Sequence, residues 1–191
     1  MRNKIVALAS IALALACSRA ENAGSDTTAT DTATAGTSMA PSDMSGMDMA
    51  NSDRDFLRQM SDHHEGLIQM ASAAMTKASQ SSTQGDAHKL HTKQAAERDS
   101  MLAMLRTSYN DSHNPSMMPK NRAQNDSLQS LSGANYDRRF YRMVIDHHRE
   151  GIAMMDSSMP HLTKDEVKRM AERMKADQQR EITEFQSKAG S

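Results

Sequence analysis

Aromatic side chains are nearly absent. Three Phe and three Tyr make up 3% of the 191 residues, and there is no Trp. That excludes a base-stacking platform for single-stranded nucleic acid and argues against a large aromatic pocket. An excess of one charge is missing too. Lys and Arg number 23 against 24 Asp and Glu, whereas a general nucleic-acid binder carries a clear basic surplus. One cysteine, Cys17, leaves no intramolecular disulfide framework and no Cys-cluster zinc site. Hydrophobic residues are only 37%, below the ~45–50% of a typical globular domain, so part of the chain is expected to stay unfolded. Methionine is abundant instead, with 18 residues. That count points to a soft helical core or to a thioether-rich metal protein.

The first residues read as a targeting segment. Arg2 and Lys4 precede an apolar run from Ile5 to Ala16, broken only by Ser10. The run is too short to span a bilayer and has the length of a signal-peptide core. It ends in Ala14-Leu15-Ala16-Cys17, which resembles a bacterial lipobox. Residues 1–16 are therefore expected to be removed and Cys17 to carry the lipid. Ser18 follows the cysteine, and the resemblance to Gram-negative lipoproteins then implies sorting to the outer membrane, facing the periplasm. Residues 17–52 form a Ser/Thr-rich tether too polar to offset its own chain entropy. Its last third crowds Met44, Met47 and Met49 together, a candidate weak Cu(I) site.

From residue 53 the pattern is helical. Leu57, Met60, His64, Leu67, Ala71 and Ala74 follow the 3-4-3-4 spacing of a bundle helix. Helices are expected over about 53–79, 87–108, 136–159 and 164–187, with Gln80–Asp86 as a turn. A long connection over 109–135 holds a short helix near Ala123–Leu131. Ser52 with Asp55, and Thr163 with Glu166, have the form of capping boxes. The second half repeats the first at an offset of 84 residues: Asp62-His63-His64 matches Asp146-His147-His148, Gln94 matches Gln178, and Glu97 matches Glu181. The hairpin repeats, 53–108 and 136–188, are expected to pack as one all-α four-helix bundle over 53–189, with a crossover connection.

The repeated residues carry the chemistry. His63, His64, His147 and His148 lie on or beside the inward stripes, and Met60, Met70 and Met154 fall within one or two turns of them. Imidazole and thioether together suit copper, as Cu(I) or Cu(II), with iron or zinc as other candidates. Glu97 and Glu181 occupy core positions, where a carboxylate needs a cation, a proton or several donors. They are candidate further ligands or groups that orient the imidazoles, as are Asp62 and Asp146. Proton competition for the imidazoles is expected below the reference value of ~6.5. His88, His91, His113 and His161 have no repeat partner and are read as surface residues, with His88 and His91 at i, i+3 spacing a candidate weak adventitious site. Two alternatives remain open: a di-metal redox enzyme in the same bundle, and a structural or interaction lipoprotein whose His and Glu form a buried hydrogen-bond network. No nucleophile–base constellation and no Gly-rich phosphate loop stands out, so catalysis is not expected.

The run Phe-x-x-x-Met-x-x-His-His-x-Gly-x-Ile-x-Met-Ala, from Phe56 to Ala71, resembles the bacterial domain-of-unknown-function family numbered 305. The second copy, Phe140 to Met155, matches more loosely, with Gly151 displaced by one position. The resemblance implies a ferritin-like bundle and an exported protein, and places the family's second-helix glutamate at Glu97 and Glu181. It also implies copper binding and copper tolerance. The partners expected are a metal ion, the membrane through the lipid anchor, and a copper chaperone or efflux system.

Overall fold

The computed structural model describes residues 52–190. The expected signal peptide, Cys17, and the expected tether with Met44, Met47 and Met49 lie outside the described residues.

Five helices account for most of the described chain. They are α1 (Ser52–Lys77), α2 (Ser81–Tyr109), α3 (Pro119–Gln129), α4 (Gly133–Ser158) and α5 (Asp165–Gly190), with one 3-10 turn at Met159–His161. The spaced apolar residues explain the long helices. Leu57, Met60, Leu67, Ala71 and Ala74 of α1 are all buried, as are Val167, Ala171, Met174 and Phe185 of α5. Asn110 closes α2 in the left-handed conformation (φ 48°), which Asn tolerates better than most residues. Pro119 starts α3, where its missing N–H costs nothing.

Pairwise contacts set the topology. α1 and α2 form one antiparallel hairpin, and α4 and α5 form the other. Ser52 Oγ donates to the His161 carbonyl, while Ser79 at the far end of α1 meets Asp137 near the start of α4. The two first helices of the hairpins are thus antiparallel to each other. The segment 110–132 climbs the bundle beside α1 to join α2 to α4. Along it Asp111 meets Arg58, Ser116 meets Asp62, and Lys77 donates to the Gln129 carbonyl. It lies close because residue 66 is Gly. A Cβ there would fall 2.2 Å from Asn121 Nδ2.

α2 begins six residues before the expected start, and only 78–80 remain as the turn. Ser81–Asp86 has turn-forming composition, but tertiary contacts override it. Thr83 and Asp86 are buried, and Asp86 accepts hydrogen bonds from Tyr141 Oη (2.9 Å) and Lys188 Nζ (2.7 Å). The local capping boxes also give way to something longer in range. Asp137 accepts from Ser79 N, Ser79 Oγ and Gln80 N at 2.8–2.9 Å. Asp53, its equivalent 84 residues earlier, accepts from Thr163 N (2.8 Å), Thr163 Oγ1 and Lys164 N (3.1 Å). Each repeat's first helix therefore clasps the hairpin turn of the other repeat. Neither aspartate stood out in the sequence.

Removing either clasp breaks three partly buried hydrogen bonds to a carboxylate, at about 1–3 kcal/mol in total because the freed donors can turn to water. Asp53→Ala and Asp137→Ala should each lower Tm by about 3–10 °C in thermal unfolding followed by circular dichroism. Burial alone would raise the Asp53 pKa, but the Thr163 and Lys164 hydrogen bonds hold it below the usual 3.8. Its contribution is then present above the carboxylate range and lost as pH falls through it. The penalty of Asp53→Ala should accordingly shrink below about pH 4.

Candidate functional site

The hydrophobic core is cut in two. One apolar cluster gathers Leu67, Met70, Leu90, Phe140, Val144 and Phe185. The other gathers Leu57, Met60, Met101, Met155, Val167 and Met174. Between them lies a polar layer to which every long helix contributes: His63 and His64 from α1, Gln94 and Glu97 from α2, His147 and His148 from α4, Gln178 and Glu181 from α5. The four imidazoles are 0–4% exposed. Sequence repetition becomes near two-fold symmetry here, because equivalent residues meet across the axis.

His63 and His147 stack at the centre with ring centroids 3.8 Å apart. His147 Nε2 lies 3.0 Å from the His63 carbonyl. A carbonyl only accepts, so that nitrogen carries the proton and Nδ1 presents a bare lone pair. His147 Nδ1 and both nitrogens of His63 have no partner. The side-chain amides of Gln94 and Gln178 are buried without partners as well. Gly151 lets this layer close. A Cβ there would stand 2.7 Å from Gln178 Oε1 and 3.1 Å from His63 Cε1.

The outer imidazoles are tied to carboxylates. His64 Nδ1 donates to the Met60 carbonyl at 2.9 Å, and its Nε2 lies 2.9 Å from Glu97 Oε2. His148 Nε2 meets Glu181 Oε2 at 2.7 Å, and Lys93 reaches the other oxygen of Glu181 at 2.8 Å. Burial pushes the Glu181 pKa up, but His148 and Lys93 outweigh it and hold the group below its ordinary value. Burial also drives the His63 imidazole down to about 3, helped by His64 and His148 nearby. His147 is pushed well below 6.5 by the same burial and by His63. Proton competition at the central pair therefore sets in below the expected range.

Not every expected residue reaches the layer. Met60 and Met70 pack in the apolar clusters on either side, and Met154 packs at the edge of one of them. Met70 and Met154 lie seven residues from His63 and His147, about 10 Å along a helix, which carries them out of the layer. Met154 instead lines a surface pocket with Phe56, Gln59 and His161. Asp62 and Asp146 do not orient the imidazoles, because adjacent helical positions diverge by about 100°. Asp62 faces out and binds His113 Nε2 (2.9 Å) and Ser116 N (2.8 Å), so His113 is a clasp for the crossover and not a free surface residue. Asp146 is exposed and pairs with Arg149. Among the described residues no three His, Cys, Asp or Glu side chains form a ready-made cation cage.

The description "Domain of unknown function (DUF305)" matches residues 7–105 and 106–189, once for each repeat. The chain belongs to the DUF305 family. Its bundle is similar to a DUF305 fragment from Deinococcus radiodurans, at 22% identity and a TM-score of 0.65, over 73% of this chain and 95% of that one. A DUF305 protein from Streptomyces coelicolor aligns at 23% identity and TM-score 0.62, over 70% and 89% of the two chains. CopM in its Cu(II)-bound form aligns at 21% identity and TM-score 0.63, over 72% and 95%. Its Cu(I)- and Ag-bound forms match comparably. At these identities the likeness establishes the fold of this DUF305 chain. No curated protein matches its sequence.

The central imidazoles are neutral when folded and protonate near 6.5 when unfolded. Between those values the unfolded chain binds protons that the folded one refuses, so stability falls as pH drops. Urea unfolding of the metal-free protein should show a loss of about 2 kcal/mol per central imidazole between pH 7 and 5. His63→Gln/His147→Gln should lose that part of the slope. Equal slopes in the two proteins would contradict neutral burial.

Proposed function

We propose that this chain is an extracytoplasmic copper-binding protein that buffers or sequesters the ion and thereby contributes to copper tolerance. One observation carries the reading: the bare donors at the centre of the polar layer. His63 Nδ1 and Nε2, His147 Nδ1, and the amides of Gln94 and Gln178 are buried with nothing to satisfy them. Each such group costs about 1–3 kcal/mol, and a bound cation would remove the cost for those that bind it. The donor set fits copper in kind, since neutral imidazole nitrogens bind it with no charge of their own to bury and copper(II) heads the divalent affinity order. CopM, which shares the fold, is known in Cu(I)-, Cu(II)- and Ag-bound forms.

In this reading His63 and His147 hold the ion, with His64 and His148 beside them. Glu97 and Glu181 accept from the outer imidazoles and keep them placed. Iron and zinc compete for the same nitrogens. The layer has only two carboxylates, and the Glu-x-x-His pattern of di-iron bundles is absent, which disfavours a di-metal oxidase. Apolar clusters close the layer on both sides, which supports binding over catalysis. Met60, Met70 and Met154 are secondary donors that side-chain rearrangement would have to bring in. Met44, Met47 and Met49 are proposed as a separate, weaker Cu(I) site. The apolar run ending at Cys17 supports export and a lipid anchor at the outer membrane. A copper chaperone or efflux protein would be the exchange partner.

Elemental analysis of the protein after export, with competition among Cu(I), Cu(II) and Zn(II), should find copper bound in preference to zinc. The variant with Ala at positions 63, 64, 147 and 148 should lose tight binding, and His63→Gln/His147→Gln provides a folded comparison. Deletion of residues 18–50 should leave most of it. Binding that follows the deletion and ignores the histidines would make the bundle a scaffold. No binding in any form would favour a purely structural His/Glu network.

Cell fractionation tests the anchor separately. Cys17→Ala should release the protein from the membrane fraction or block its maturation. Mass spectrometry of a mature N-terminus elsewhere in the chain would count against lipidation.

A further inference from the structure

The two hairpins are near copies, yet one of them wears a cover that the other lacks. On α1 the outer face is occupied by the crossover segment. Asp111 takes Arg58 Nε at 2.6 Å and is itself 7% exposed. His113 Nε2 and Ser116 N both reach Asp62 Oδ1, at 2.9 and 2.8 Å. The 84-residue repeat places Arg142 and Asp146 at the corresponding positions of α4. There Arg142 turns to the Ala189 carbonyl at 3.3 Å, and Asp146 pairs only with Arg149 on its own helix. Arg139, Arg142, Asp146 and Arg149 are all exposed, whereas their counterparts Asp55, Arg58, Asp62 and Glu65 are all partly shielded.

The uncovered face is a groove of about 450 Å³ between α4 and the end of α5, with Ile145 in its lining. Its charge is inverted relative to the covered one. Three acids and one arginine on α1 become three arginines and one acid on α4. A segment docked there in the manner of residues 110–118 would need more carboxylates than 110–118 itself carries.

The geometry points to this α4–α5 groove as a docking site for an extended acidic segment of a partner protein, seated as the crossover is seated on α1. α1 already binds one extended segment through Asp111 on Arg58, the repeat counterpart of Arg142, and Arg139 and Arg149 extend the match on α4 to further carboxylates. An Arg guanidinium pairs with a carboxylate bidentately, which gives register as well as attraction. Ile145 offers an apolar contact beneath. The proposal is independent of the copper reading, since it uses no residue of the polar layer.

The probe is a fluorescent peptide copying residues 110–118 with Asn110→Glu and Met118→Glu, which keeps Asp111 for Arg142 and His113 for Asp146 and adds a carboxylate at either end for Arg139 and Arg149. Fluorescence anisotropy with the full chain should show saturable binding, at least about fivefold tighter than a scrambled peptide of the same composition. Arg142→Gln should weaken it about tenfold, and Arg139→Gln/Arg149→Gln about fivefold, in line with one or two rim ion pairs. The second variant touches only exposed side chains and keeps the test valid if Arg142→Gln disturbs the α5 terminus. Equal affinity for the scrambled peptide, or no binding at 1 mM, overturns the proposal. So does binding to phosphatidylglycerol vesicles that the same substitutions abolish while the peptide fails to bind. Concentration-dependent dimerisation lost in Arg139→Gln/Arg149→Gln, again without peptide binding, would assign the groove to a second copy of this chain.

Discussion

A four-helix bundle tolerates a polar layer through its centre only if that layer is held from all sides. Here four imidazoles, two carboxamides and two carboxylates replace the apolar side chains that would otherwise join the two core clusters. Their burial separates the hydrophobic clusters, and the apolar walls in turn exclude the water that would hydrate the rings. His64 is held by the Met60 carbonyl and Glu97, and His148 meets Glu181 with one ring nitrogen, while the stacked central pair is left with open nitrogens. Low dielectric around those nitrogens keeps them neutral and suited to accept a cation.

That arrangement depends on registering two hairpins to within a fraction of a helical turn. The reciprocal clasps at Asp53 and Asp137 do this at the two ends of the α1–α4 interface. Each fastens a turn belonging to the opposite repeat, so neither hairpin completes its own turn alone. The device also explains how α2 can start in a stretch of Ser, Thr, Gln and Gly. Its entry is held from α4, and local propensity does not decide it.

The symmetry is broken at places that matter. Gly66 admits the crossover against α1, while its counterpart Glu150 faces outward to Lys120. Gly151 admits His63 and Gln178 to close contact, while its counterpart is Leu67. Lys93 neutralises Glu181, and no lysine stands opposite Glu97 in the same relation, because the position equivalent to Lys93 is Asp177. A duplicated hairpin has thus kept its central layer and diverged at its outer faces, one covered by the crossover and the other left as an arginine-lined groove.

The sequence by itself determined the helices, the duplication and the identity of the polar residues in the central layer. Period 3.6 marks the inward face, and His64, Gln94, Glu97 and their partners at an offset of 84 fall on it. It also determined that the connection was long enough to traverse the bundle. Only the tertiary structure decided which polar side chains meet. Spacing along a helix places Met70 near His63 in angle but about 10 Å away in height, so the thioethers left the layer. Asp62 is adjacent to His63 in sequence and points the other way. Asp53 and Asp137 bind turns more than fifty residues distant, which no local pattern encodes. The physical reason is common to these cases: periodicity specifies direction from one helix axis, whereas contact requires the axes, heights and rotations of two helices to be known together.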